Sequence, residues 1–137
     1  MGAIVGCDGA WSTPGMSNGG SLCGTGWHLC ATNDEVSAKG LSDCGASSLP
    51  TASFYATEEA STGGWNCDSD EPGNTGSNDI WGCGDQAYGG GGGCSALNAA
   101  LGNQDWNAWK GLLNNGISER NTMYKEAGNG GVMCCHD

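Results

Sequence analysis

The sequence predicts a small, disulfide-rich α+β domain with long irregular loops. Three observations carry that expectation. Nine cysteines are spread over the whole of a 137-residue chain, and none of them forms Cys-x-x-Cys. Ile, Leu, Val and Phe together number only fifteen, well below the roughly 20 % at which a strongly charged chain tends to stay disordered. Six tryptophans, each with roughly 150–250 Å² to bury, and a set of cross-links supply what the aliphatic residues do not. Finally, helix and strand signals are separated by stretches rich in Gly, Asn, Asp and Ser. The length suits one domain.

The elements follow in order. Residues 1–22 are rich in Gly and Ser, and Ala3-Ile4-Val5 reads as an edge strand. Thr32-Asn33-Asp34-Glu35 fits the capping box, in which Thr32 accepts from the Glu35 amide and Glu35 reaches back to the Thr32 amide. A helix of about two turns then closes at Gly40. Residues 52–57 read as a short strand. From 61 to 93 the chain is a long irregular region carrying Trp65 and Trp81, of the kind that is usually functional or disordered. Cys67, Cys83 and Cys94 bracket it, which favours order, and Gly89–Gly93 reads as a loop tip. A helix is expected around Ser95–Leu101. Another is expected from Asp105 to Gly116, with Trp106, Trp109 and Leu113 on one face. Thr122–Glu126 and Val132–Cys135 read as a β-hairpin across Gly128–Gly131.

Charge and composition exclude several classes. The net charge is −11, and Lys39, Lys110, Arg120 and Lys125 are the only Lys and Arg. Such a chain has no groove for nucleic acid and no basic patch for anionic lipid. No apolar run approaches the ~18 residues of a membrane span, so no membrane insertion is expected. The start, Met1 to Gly6, lacks a basic n-region and a long apolar core, so the chain reads as a mature secreted protein. Wide cysteine spacing fits an oxidising, extracellular compartment. Nine is odd, so one thiol is free or pairs with another chain, giving a homo-oligomer. Two candidates stand level: Cys7, near a terminus, and one of the adjacent pair Cys134 and Cys135.

Leu22-Cys23-Gly24-Thr25-Gly26-Trp27-His28-Leu29 precedes the capped helix carrying Glu35, and Gly131-Val132-Met133-Cys134-Cys135-His136-Asp137 ends the chain. Together these stretches resemble the C-type lectin-like superfamily. They are most similar to its bacterial surface domains, which open with Cys-x-x-Gly-Trp-His-Leu and close with Val-x-Cys. The order of helix, irregular loops and final strand fits as well. The resemblance implies a C-type lectin-like fold with a Ca²⁺-dependent sugar site in the long loop. Glu71-Pro72-Gly73-Asn74 is similar to the family's Glu-Pro-Asn, with one Gly inserted, and Asn78-Asp79 to its Asn-Asp. The family's Trp-Asn-Asp has Trp106-Asn107-Ala108 as its counterpart, without the carboxylate.

The residues themselves offer one constellation of note. Asp68, Asp70, Glu71, Asn74, Asn78, Asp79 and Asp85 supply the carboxylates and amide oxygens that Ca²⁺ takes six to eight at a time. Their spacing is not that of an EF-hand. The competing reading is a solvated acidic loop that keeps the protein soluble. Trp65 and Trp81 sit among these polar groups, as rings that stack on a sugar do, or else they plug a small core. Trp27, Trp106 and Trp109 read as core. His28 and His136 could join Cys134 or Cys135 around zinc, although disulfides are the stronger use of those thiols. Nothing resembles a glycosidase carboxylate pair, a nucleophile elbow or a phosphate loop.

The expectation is therefore a non-catalytic extracellular recognition domain for a glycan or a cell-surface or matrix component. Asp70, Glu71, Asn74, Asn78 and Asp79 are the expected Ca²⁺ ligands, and Trp65, Trp81 and Asn78 the expected ligand contacts. The alternative is a structural subunit of an extracellular matrix, fibre or mineral-associated assembly, joined through Cys7 or an edge strand over residues 3–7.

Overall fold

A computed structural model describes residues 2–41, 54–58, 82–83, 109–110, 120–126 and 130–137. They form an α+β arrangement around a mixed sheet. The strands are β1 (Ile4–Asp8), β2 (Trp27–Leu29), β3 (Tyr55–Ala56), β4 (Gly82–Cys83), β5 (Trp109–Lys110), β6 (Tyr124–Lys125) and β7 (Gly131–His136). They are joined by a 3-10 helix over Met16–Leu22 and the α-helix α1 (Asn33–Ala38), and residues 120–122 are also helical.

β7 organises the sheet. One of its sides pairs antiparallel with β1 along five residues, from Ile4↔Cys135 to Asp8↔Gly131. Its other side is shared end to end by β3, which runs parallel at Tyr55↔Gly131, and β2, which runs antiparallel at Trp27↔His136. β4 then pairs with β3. The expected edge strand near the N-terminus is thus β1, at one end of the order β1-β7-β3-β4. With both sides of β7 occupied, its residues 131–135 are all buried. Such a strand reads as an unbroken apolar run and not as an alternation.

Successive residues of β7 serve opposite faces. Val132 and Cys134 join Trp11, Met16, Phe54, Ala56 and Met123 in one core cluster. Met133 and Cys135 join Cys30, Val36, Tyr55 and Cys83 in the other. The 3-10 helix lies on the first face and α1 on the second. Each face carries its own staple, Cys23–Cys134 and Cys30–Cys135, with sequence separations of 111 and 105. Cys83 is disulfide-bonded too, and among the described cysteines Cys7 alone is free. Of the two candidates for the odd thiol, Cys7 is free and both Cys134 and Cys135 are bonded. Adjacent Cys134 and Cys135 do not compete for one partner, because the strand points them to opposite sides.

The helix forms where the capping residues place it. Thr32 is the N-cap and accepts from the Glu35 amide at 3.3 Å. The return arm differs from the expected box, since Glu35 Oε2 accepts from the Ala31 amide at 2.7 Å and not from Thr32. At the other end Gly40 takes φ 103°. The Leu41 amide bonds the Val36 carbonyl, and the Gly40 amide bonds that of Ser37. These two bonds make a Schellman motif, and Leu41 packs beside Val36 in the second core, as that motif favours.

Two expectations are overturned. Residues 109–110 are a strand and not part of a helix: Trp109 pairs with Lys125 and Lys110 with Tyr124. Pairing with a distant segment outweighs the local three-four spacing of apolar residues. Nor do residues 122–126 and 132–135 form a hairpin. β7 has no side left for β6, which pairs instead with β5 and, at Lys125, with Trp11. The expected helix around 95–101 and the glycine run 89–93 lie outside the described residues.

Candidate functional site

None of Asp68, Asp70, Glu71, Asn74, Asn78, Asp79, Asp85, Trp65 or Trp81 lies within the described residues. What the structure gives is the base from which that segment leaves and to which it returns. Ala56 on β3 faces Gly82 on β4. The two ends of the intervening stretch are therefore held side by side on a disulfide-bonded sheet. Close packing at the pair requires glycine at 82: a Cβ there would come within 2.3 Å of the Phe54 ring and 2.6 Å of the Tyr55 carbonyl oxygen. Thr57, the first residue after β3, is fully buried. Glu58 follows with its carboxylate 3.2 Å from Arg120 Nη2 and its amide bonded to the Cys30 carbonyl. Rigid elements fixing both ends of a long connection are the usual platform for a binding loop.

The described residues contain one charged cluster that the sequence reading missed. His28 on β2 sits between two carboxylates. Nδ1 is 2.6 Å from Asp137 Oδ1, and Nε2 is 2.6 Å from Glu35 Oε1. An ionised carboxylate only accepts, so the arrangement suits the protonated ring, which can donate at both nitrogens. The bonds to Asp137 and Glu35 push the His28 pKa above its ordinary value, against a smaller opposing effect of burial. Burial works to raise Glu35, but the Ala31 amide and His28 outweigh it and hold the carboxyl below its usual range. The spacing of His28 and Glu35, seven residues apart across a helix start, gave no local signal. Only the pairing of β2 with β7 brings Asp137 alongside.

This cluster ties β2, α1 and the chain end together, helped by Lys39 Nζ donating to the His136 carbonyl at 2.6 Å. Both His28 nitrogens are engaged by carboxylates, so neither is open to a metal in this arrangement. The zinc alternative fails for Cys134 and Cys135 as well, since both are in disulfides. His136 is exposed and stands edge-on to Trp27, with ring centroids 4.9 Å apart. Trp27 is half-buried against the first core, as expected, whereas Trp106 lies outside the described residues.

Trp11, which no pattern singled out, is the most deeply packed tryptophan described. It is 7 % exposed, and its indole N–H donates to the carbonyls of Gly15 and Met123. Beside it an open recess of about 480 Å³ is lined by Ala10, Trp11, Ser12, Tyr124, Lys125 and Glu126. Lys125 is fully buried and donates to the Gly9 carbonyl at 3.1 Å. On the edge strand, Tyr55 and the Gly130 amide both donate to Asp8 Oδ1, at 2.7 and 2.9 Å. No described helix is long and apolar enough to cross a membrane.

No protein-family model, no curated protein and no solved structure matches the chain.

Proposed function

We propose that this chain is a non-catalytic extracellular recognition domain of the C-type lectin-like kind. It presents the acidic stretch 68–85 to a glycan or surface component, with Ca²⁺ as the bridging ion. The observation that carries the reading is the clamp at Ala56↔Gly82, which closes the base of the stretch containing every expected ligand. Among the described residues, a first strand paired with the last, disulfides anchored on that last strand and a capped helix carrying Glu35 are in keeping with the resemblance. Disulfides in both cores are compatible with an extracellular location. In this reading Asp70, Glu71, Asn74, Asn78 and Asp79 provide oxygen ligands. Trp65 or Trp81 offers an aromatic face to the C–H side of a sugar, and Asn78 a hydroxyl contact.

The test is a thermal melt of the oxidised protein in about 5 mM Ca²⁺ against EDTA. A ligand held only by the folded state at a hundredfold excess over Kd stabilises by about 2.7 kcal/mol, several degrees in a domain of this size. An upward shift that disappears in Asp79→Ala supports the site and leads to a glycan array with Ca²⁺ present. Equal melting points overturn the Ca²⁺-dependent reading in that affinity range.

One observation favours the alternative of an assembling structural subunit: free Cys7 lies on β1, the edge strand of the described sheet. Non-reducing electrophoresis separates the two, because a covalent ladder supports assembly and a monomer band opposes it.

A further inference from the structure

Three sulfurs meet on the first face of the sheet. The Sγ atoms of Cys7, Cys23 and Cys134 all lie within 4.8 Å of one another. Two of them are already bonded as Cys23–Cys134, and the third is a free thiol. Cys7 and Cys134 share this face because Val5 is the register partner of Cys134 and Cys7 that of Val132. A thiolate attacks a disulfide sulfur directly and needs no external oxidant or reductant. We propose that Cys7 is the built-in nucleophile of an internal disulfide exchange that swaps Cys23–Cys134 for Cys7–Cys23.

The step balances within the molecule. The Cys7 thiolate attacks Cys23 Sγ, the Cys7–Cys23 bond forms, and the Cys23–Cys134 bond breaks. Cys134 leaves with the electron pair and takes up the proton that Cys7 gave to solvent. The number of thiols and disulfides is unchanged.

The direction follows from the scaffold. Cys7 and Cys134 are diagonal neighbours in a ladder, where Cα atoms stand about 7–8 Å apart. A disulfide wants roughly 4.4–6.8 Å, and five paired residues hold β1 and β7 in place. Cys23 is not held by strand pairing. It lies between the end of the 3-10 helix and Gly24-Thr25-Gly26, and neither glycine has an atom within 4 Å of where a Cβ would be. A displaced Cys134 thiol stays fully buried, an environment that a neutral cysteine tolerates as a small apolar residue.

The resting arrangement is the one with Cys7 reduced. Burial, and then the neighbouring Asp8 carboxylate, hold the Cys7 thiol above its ordinary pKa. Its nucleophilic form is therefore scarce near neutrality. The two isomers differ in the strand that Cys23 is bonded to: β7 in one, β1 in the other.

The experiment follows the thiol. Oxidised protein is held near pH 8.5, where ordinary thiols are substantially ionised. Aliquots are quenched in acid over time, unfolded in guanidinium and alkylated with N-ethylmaleimide at mildly acidic pH. After reduction and a second alkylation, fragmentation of the C-terminal peptide distinguishes Cys134 from Cys135. The expected result is label on Cys7 at time zero, moving in part to Cys134 as incubation proceeds, with the same behaviour in the monomer fraction. In Cys7→Ser, Cys134 stays unlabelled; Cys7→Ala serves where the serine variant does not fold. Label confined to Cys7 at all times, or label on Cys134 in the Cys7 variants, overturns the proposal.

Discussion

Gly131→Ala tests the claim that β7 is wedged between two strands. Gly131 faces Asp8 on β1 and Tyr55 on β3, and its amide donates to the Phe54 carbonyl at 2.9 Å. A methyl group there would meet the Cys7 carbonyl oxygen at 2.1 Å, where ordinary contact starts at 3.4 Å. The obstacle is backbone, so no side-chain rotation relieves it, and β1 must withdraw by about 1.3 Å at this point. Overpacking of this kind costs about 1–3 kcal/mol. The hydrogen bonds next to it, among them Gly9 N–H to the Gly130 carbonyl, add roughly 0.5–1.5 kcal/mol for each one lost. Reduced freedom of the unfolded chain returns about 0.4–1 kcal/mol. The expected net loss is about 2–4 kcal/mol, a fall in Tm of roughly 6–16 °C for a chain of this length. The assay is thermal and urea unfolding of the oxidised protein beside Gly24→Ala, which has no atom within 4 Å of the new methyl. That control should stay within about 0.5 kcal/mol of the parent. If Gly131→Ala melts with the control, the packing of β1 against β7 described above is wrong.

Four further outcomes are expected. Gly40→Ala meets no neighbour, but φ 103° is strained for an L-residue, so it should cost about 1–2 kcal/mol of stability in urea titrations; no loss would mean that α1 ends differently. The His28 pKa is raised in the folded state, so the stability that its protonation contributes is complete below about pH 6.5 and declines as pH rises through the higher native value. NMR titration of the imidazole in Asp137→Asn should move that value back down, and an unchanged value would remove Asp137 as its principal cause. The two staples on β7 should be non-additive. With Cys23–Cys134 in place, Cys30–Cys135 closes only the seven residues from Cys23 to Cys30 and the step to Cys135, worth about 2.5 kcal/mol; alone it closes 105 residues, worth about 4.8 kcal/mol. Removing both should therefore cost about 2 kcal/mol more than the two single losses combined, and equality in denaturant unfolding would contradict the nested arrangement.

The parts of the fold legible in the sequence are those set by neighbours in the chain. Thr32 and Glu35 cap α1, and Gly40 ends it, because caps are read within four or five residues. Ile4 and Val5 announce β1 by composition. Arithmetic and position raised Cys7 as one candidate for the unpaired thiol. What failed depended on distant partners. Trp109 fits a helical face as well as a strand, and only Lys125, sixteen residues on, decides between them. The hairpin at 122–135 was locally reasonable but ignored that β1, β2 and β3 take both sides of β7. Trp11 carries no periodic signal, since its environment is assembled from Met123, Lys125 and the 3-10 helix. The His28 cluster was hidden for the same reason, with Asp137 lying 109 residues away. The expected Ca²⁺ and sugar residues rest on their side-chain chemistry and on the resemblance, beside a strand pair that fixes the ends of their segment.

The position of β7 also bears on how the protein is made. Every other strand of the main sheet precedes it, and both staples wait for it. A ribosome working at about 5–20 residues per second releases Cys23 and Cys30 roughly ten seconds before Cys134 and Cys135, across separations of 111 and 105 residues. During that interval β1 has no partner from β7, and Cys7, Cys23 and Cys30 are exposed to Cys44, Cys67, Cys83 and Cys94 as well as to one another. Folding of the sheet thus waits for β7 and is dominated by long-range contacts, the slow regime for small proteins. An oxidant that acts before the last strand arrives records the order of synthesis in the disulfides. Delayed oxidation, or reshuffling of thiols afterwards, favours the two long-range pairs on β7.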